Sequence, residues 1–227
     1  MHSKWPLKKI YEQFKRPELD ILKSSGYTFD NPFDVVEIFE QKVASFFGAE
    51  HGVAVDCCSH GLFLCLKYLK ADGTVKIPKY TYASVPMQIE HAGCKVQLTE
   101  EKWENSYQLE PYPIWDAAAL WSPSKFNEKF SVISFQIKKP LCIGRGGMIL
   151  TNDESAVEQL KLMRHDGRDS IINQTACDIK SIGYHYYMTP EDAARGIIIF
   201  DNLKNIEVSP SWKNYLDLRQ YDYFSNY

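Results

Sequence analysis

The chain has 227 residues, 44% of them apolar, enough for one substantial domain with a real core. Its formal net charge is -3 and no segment concentrates Lys and Arg, so nucleic acid and other polyanions are excluded as expected partners. The opening MHSKWPLKKIYEQF lacks a secretory apolar stretch and runs such as LFLCL are far too short to cross a bilayer, so the expectation is a cytoplasmic protein with no membrane partner. Cysteines at 57, 58, 65, 94, 142 and 177 form no CxxC pair and match no histidine spacing. No metal site or disulfide framework is expected, and most of these thiols should be small buried apolar residues.

In chain order, DNPFDVVEIFEQKVASFFG predicts a helix with Asn31 as N-cap, Pro32 in the first turn, apolar residues at 36, 39, 43 and 47, and Gly48 as the stop. GVAVD then reads as a strand running into a helix over CCSHGLFLCLKYL. The pattern recurs in the strand VKI, the helical ASVPMQIEHAG closed by Gly93, and the strand KVQL. After a polar stretch come YPIW, FSVISFQI and MILTND, with Asn152 or Asp153 capping a helix that runs to about Gly167. A last helix is signalled at TPEDAARGIIIFDNL, with Thr189 as N-cap and Pro190 at the first position. Strands alternating with helices imply an α/β fold with a mostly parallel sheet and helices on both faces. Ligands of such sheets sit beyond the carboxyl ends of the strands, which directs attention to the turns there.

Four of those turns carry chemistry. In VDCCSHG a helix opens directly after a strand, so its backbone N–H groups and the Ser59 hydroxyl can cradle a phosphate or carboxylate; the plainer reading is that Asp56 or Ser59 caps the helix. In IWDAAAL, Asp116 at a strand's end with small neighbours can hold a ring nitrogen protonated, or can start an ordinary turn. Tyr82 in PKYTYASV offers a ring face for stacking, or packs in a core. In SFQIKKPLCIGRGGMILTND a paired amine precedes a glycine turn. Because strand-like MIL follows GRGG, the turn fails as a dinucleotide fingerprint, which must open a helix. Its glycines instead suit a close backbone approach or a sharp bend between strands. A lysine there is a solvated amine or, in its sharper role, a Schiff-base former.

Taken in order, these segments resemble the DegT/DnrJ/EryC1/StrS family of sugar aminotransferases that use pyridoxal phosphate (PLP). FEQKVASFFGAEHGVAV is similar to the segment that leads into the family's fold, and DCCSHGLFLCL occupies its small-residue phosphate turn. IPKYTYASVPMQIEHAGCKV, IWDAAA, the lysine segment from Ser134, and GYHYYMTPEDAARG resemble four further motifs, with coverage from about residue 30 to 203. The resemblance implies a fold-type I large domain over 31–205, preceded by an arm over 1–30 and followed by an aromatic tail over 206–227 in which the small C-terminal domain is missing or vestigial. It also implies a homodimer whose active sites are built from both chains.

By the same resemblance, Lys139, the second of the pair, takes the Schiff-base position, while Lys138 falls where a small residue is usual. Asp116 would keep the pyridinium protonated and Tyr82 would stack on the ring. The N–H groups around Cys58, Ser59 and His60, with the Ser59 and Ser134 hydroxyls, would hold the phosphate. His185 stands where the family places an asparagine that reaches a neighbouring subunit's phosphate. The implied reaction moves an amino group from glutamate or glutamine to a keto sugar nucleotide or a related small keto compound. The alternatives are a PLP-binding or structural descendant without productive transamination and, third, a dehydratase on the same scaffold. Departures from the family pattern include Cys58 for glycine, Ala119 for glutamine or histidine, Arg145 for glutamate and Tyr187 for arginine. The tail could dock on its own domain or cover a partner subunit.

Overall fold

A computed structural model describes residues 17–126, 128–169, 177–203, 206–225 and 227. Residues 1–16 of the expected arm lie outside them. The elements are α1 (Glu18–Ser24), α2 (Asp34–Phe47), β1 (His51–Val55), α3 (Cys58–Tyr68), β2 (Thr74–Pro78), α4 (Ser84–His91), β3 (Lys95–Thr99), β4 (Tyr107–Gln108), β5 (Ile114–Asp116), β6 (Phe130–Ser134), β7 (Gly147–Thr151), α5 (Glu154–Arg164) and α6 (Pro190–Asn202).

The helices end where their chemistry says they should. Gly48 closes α2 in the left-handed conformation at φ 80°, which a side chain would resist. Asp153 caps α5 by accepting the Ala156 N–H, and Thr189 caps α6 by accepting that of Asp192. Helix α2 starts two residues later than predicted, at Asp34 after Phe33, because the Asn31 side chain accepts the Phe33 N–H and closes a tight turn before the helix begins. Its predicted apolar face, Val36, Phe39, Val43 and Phe47, is buried.

The main sheet runs β1-β7-β6-β5-β4, and β2 pairs with β3 separately. A bridge between Lys76 and Glu110 links the two. The expected mostly parallel sheet is corrected: among the described residues β2·β3 and β5·β6 are parallel, whereas β1·β7, β6·β7 and β4·β5 are antiparallel. Connection length is the reason for β6·β7 and β4·β5. No helix lies between β6 and β7 or between β4 and β5, and without a crossover the chain returns beside itself antiparallel.

Helices do cover both faces. Along β1, β6 and β7 successive side chains point to opposite sides: Val53, Val55, Val132 and Ile149 enter one core, Ala54, Ile133, Met148 and Leu150 the other. The first core holds α3 and α4, the second α1, α2 and α6. Glu40 and Arg164, both almost fully buried, pair across from α2 to α5. No helix among the described residues is long and apolar enough to cross a membrane. Only half the cysteines meet the expectation of small core residues: Cys58, Cys65 and Cys94 are buried, while Cys57, Cys142 and Cys177 are partly exposed.

The aromatic tail docks on its own chain. Leu218 and Phe224 are buried in the first core, Lys79 pairs with Asp217 at 2.9 Å, and the Leu218 N–H donates to the Lys79 carbonyl. Trp212 packs on Tyr80, and Tyr215 on Trp103, with ring centroids 4.9 and 5.5 Å apart. These contacts bring a segment from beyond the last helix back to the carboxyl end of β5.

Candidate active site

A cavity of about 910 Å³ opens at the ends of β5 and β6. Its lining includes Cys58, Ser59, Tyr82, Asp116, Ser134 and Lys139, so six of the eight residues singled out in the sequence converge on it. His60 and His185 do not.

Asp116 ends β5 and is buried. One carboxylate oxygen accepts the Ala118 N–H at 2.9 Å and the other accepts the Tyr107 hydroxyl at 2.5 Å. Tyr107 in turn is hydrogen-bonded to the Thr81 hydroxyl. Burial pushes the Asp116 carboxyl above its ordinary pKa, against the opposing pull of Tyr107, Ala118 and the Lys139 ammonium. Lys139 follows β6 in a turn held by its own N–H donating to the Gln136 carbonyl. It is half-buried, whereas Lys138 is exposed, although both reach the cavity wall. The Lys139 charge is felt at Asp116 and at Cys58. The two lysines thus differ in burial while sharing the cavity wall.

The start of α3 forms another wall. Cys57 is its N-cap, with Sγ accepting the His60 N–H at 3.4 Å, so neither Asp56 nor Ser59 takes the capping position anticipated for it. That contact and the Gly61 N–H bonded to the Cys57 carbonyl leave the N–H groups of Cys58 and Ser59 as the anion donors of this terminus. Cys58 takes no left-handed conformation, so the absence of the family's glycine costs no backbone strain. Burial above all, then the Asp116 charge, pushes its thiol well above the ordinary range. The Ser59 hydroxyl lies 2.6 Å from that of Ser84, and Ser134 Oγ accepts the Gln136 N–H. Tyr82 is 65% exposed, its ring free to be covered by something flat.

The placement of His60 is a correction. Its ring stacks on Tyr186 with centroids 3.7 Å apart and meets Asp56 at 2.7 Å, outside the cavity, and its N–H is already committed. Burial pulls its pKa down, but hydrogen bonds to Asp56 and Cys57 prevail and raise it to about 9. His185 is exposed and faces Asp166 at 3.1 Å. The ligand atoms of Asp56, Cys57 and His60 lie within 4.8 Å of one another, a donor group that cysteine spacing did not reveal. Asp56 is also claimed by Arg145, whose Nη2 donates at 2.5 Å. The reversed charge at position 145 therefore has its partner in the chain itself.

Sequence reasoning missed Tyr107, Thr81, Asn214 and Tyr215. The first two support Asp116, and the last two line the cavity from the tail. Thr81 lies in the quoted PKYTYASV segment without a role read for it, and only long-range pairing brings the other three there.

The chain matches the DegT/DnrJ/EryC1/StrS aminotransferase family over residues 12–118 and 125–209, and it belongs to that family. It is similar to the spore coat polysaccharide biosynthesis protein SpsC of Bacillus subtilis (strain 168), 25% identical over 76% of this chain and 57% of that protein. Among solved structures it shares a fold with the sugar aminotransferase CalS13 from Micromonospora echinospora (TM-score 0.62, 16% identity, 82% of this chain and 64% of that one). It shares it also with Helicobacter pylori PseC, an aminotransferase involved in the biosynthesis of pseudoaminic acid (TM-score 0.63, 15% identity, 84% and 64%). The chain spans 57% of the length of the curated relatives it matches.

Proposed function

We propose that the protein is a PLP-dependent aminotransferase that moves an amino group from glutamate or glutamine to a keto sugar nucleotide or a related small keto compound, working in the cytoplasm as a homodimer. The observation that carries this reading is that Asp116 and Lys139, 23 residues apart in sequence, line one cavity together with the start of α3. The residues fit the cofactor: a buried carboxylate for a ring nitrogen, an amine, two free helix N–H groups with hydroxyls for a phosphate, and an exposed ring for stacking. PLP when bound supplies an electron sink for the carbon that loses or gains a proton.

The chain's own residues supply the rest. Asp116, held by Tyr107 and Ala118, carries negative charge opposite the ring nitrogen, and a cation brought beside it draws its pKa down again. Cys58 and Ser59 N–H groups with the Ser59 and Ser134 hydroxyls fix the phosphate. Tyr82 covers one ring face. Lys139 anchors the cofactor and carries the proton between donor and acceptor carbons. His185, exposed on its segment, is assigned to the neighbouring subunit's site. The names of the relatives, which concern sugars and polysaccharide biosynthesis, support the acceptor class.

The test is incubation with PLP, borohydride reduction and peptide mapping. A covalent pyridoxyl label on Lys139 is expected, lost in Lys139→Ala and kept in Lys138→Ala. A label on Lys138 would put the register wrong by one residue, and no label at all would remove the reading. Adding glutamate to the loaded protein should then change its absorbance to that of the amine form of the cofactor.

A further inference from the structure

The segment 206–215 contributes Ile206, Val208, Ser209, Pro210, Asn214 and Tyr215 to the cavity lining and is pinned on both sides of its last residues. Upstream, Ser211 bridges to Glu104 and the Asn105 N–H donates to the Pro210 carbonyl at 2.7 Å. Downstream, Asp217 bridges to Tyr80 and pairs with Lys79. Between these anchors the Ser211 N–H donates to the Asn214 side chain, closing a short turn that delivers Tyr215 to the cavity. A residue fixed at both flanks is placed rather than merely near.

Tyr215 is supported from behind by Trp103, itself 5.1 Å from the Tyr107 ring whose hydroxyl holds Asp116. Its own hydroxyl makes no hydrogen bond with any described residue. Burial first, then the Asp116 charge, keep its phenol protonated far above the ordinary range, so it remains a donor. Tyr215 is thus a positioned donor on the wall of the cavity that also holds the carboxylate assigned to the ring nitrogen, open to whatever fills that cavity.

We propose that Tyr215 is a cofactor-contacting residue whose hydroxyl and ring complete the wall of the PLP site beside Asp116. The inference rests on the PLP reading above and deepens it: the family match ends at residue 209, so this wall comes from a part of the chain beyond that match.

The test is the equilibrium dissociation constant of PLP for the full chain, read by absorbance, in the wild type, Tyr215→Phe, Tyr215→Ala and Tyr223→Phe. Tyr223 is a tail residue whose hydroxyl meets Glu90 outside the cavity, so its variant reports any general loosening of the tail. The expected result is about a fivefold weakening in Tyr215→Phe, the scale of one neutral hydrogen bond, a larger loss in Tyr215→Ala, and none in Tyr223→Phe. Tyr215→Phe keeps the ring and its packing on Trp103, so it is expected to fold. Wild-type affinity in Tyr215→Phe and Tyr215→Ala overturns the proposal. So does tighter binding in Tyr215→Ala, which would make the ring an obstruction. Failure of the wild type to bind PLP removes the underlying reading and the inference with it.

Discussion

Gly147→Ala is the sharpest probe of how the sheet builds the site. Gly147 begins β7 and sits opposite both Val55 and Ser134. A Cβ there would lie 2.5 Å from the Cys58 nitrogen, 2.7 Å from the Cys57 carbonyl carbon and 2.8 Å from the Cys58 Cα. All three are backbone atoms, so no side chain can swing aside. Ordinary contact begins near 3.4 Å, so the start of α3 must retreat by about 0.9 Å. Forcing such a shift costs about 1–3 kcal/mol, or a fall in Tm of about 2–12 °C for a domain of this size. The same shift moves the N–H groups of Cys58 and Ser59. Each bond from these donors to a charged phosphate is worth about 1.5–3 kcal/mol, so partial loss of two should weaken PLP binding tenfold or more. The assay pairs thermal unfolding with PLP titration. Gly73→Ala, which does not line the cavity, is the contrast: nothing lies within 4 Å of its added Cβ, but φ is +71°, so stability falls from backbone strain while PLP affinity holds within about threefold. If Gly147→Ala keeps both wild-type Tm and wild-type affinity, the close approach does not position the site and the reasoning fails.

Other outcomes follow from the same geometry. Asp116→Asn keeps the shape but removes the charge opposite the ring nitrogen; turnover with glutamate should drop by at least a hundredfold while the borohydride label on Lys139 persists, and undiminished turnover would dismiss the assigned role. Glu40→Gln leaves Arg164 buried without a counter-charge and should cost about 3–5 kcal/mol in urea unfolding, against under 1 kcal/mol for Arg145→Ala, whose side chain is 68% exposed. Two histidines shape the pH dependence of stability. His60, raised to about 9, stabilises fully below its unfolded value of 6.5 and loses that contribution as pH climbs to 9. His165, which burial lowers to about 4, costs nothing above 6.5 and destabilises progressively as pH falls toward 4. Their combined contribution peaks near pH 6.5, and denaturation series should show the alkaline limb flattened in His60→Asn and the acid limb in His165→Asn.

The two faces of the fold were legible because hydrophobic period and capping chemistry are local: Thr189, Asp153 and Gly48 mark helix ends in the sequence and in the structure alike. Asp116 and Lys139 were legible through motif order, and the structure brings both to one cavity. Strand direction was not, since it depends on whether a connection carries a helix, and the stretch between β6 and β7 does not. The two-residue β4 offers no periodic signal, yet it supplies Tyr107 to Asp116. The His60 N–H was not legible as a capped one, because a cysteine is not a residue that sequence marks as an N-cap, yet Cys57 Sγ takes that N–H. The Asp56–Arg145 pair spans 89 residues, so Arg145 alone looks like an unexplained substitution and Asp56 like an ordinary cap candidate.

The clasp formed by Glu40 and Arg164 has a consequence at the rim of the sheet. β1 is a terminal strand, and the outward backbone of Ala54 would ordinarily be open to any passing extended segment. Instead its N–H donates to Glu40 Oε1 at 2.8 Å and its carbonyl accepts Arg164 Nη1 at 2.7 Å, each side chain arriving from a different helix. At Ala54 the rim is thereby closed to strand addition, and an extended segment pairing there would first have to displace a buried ion pair.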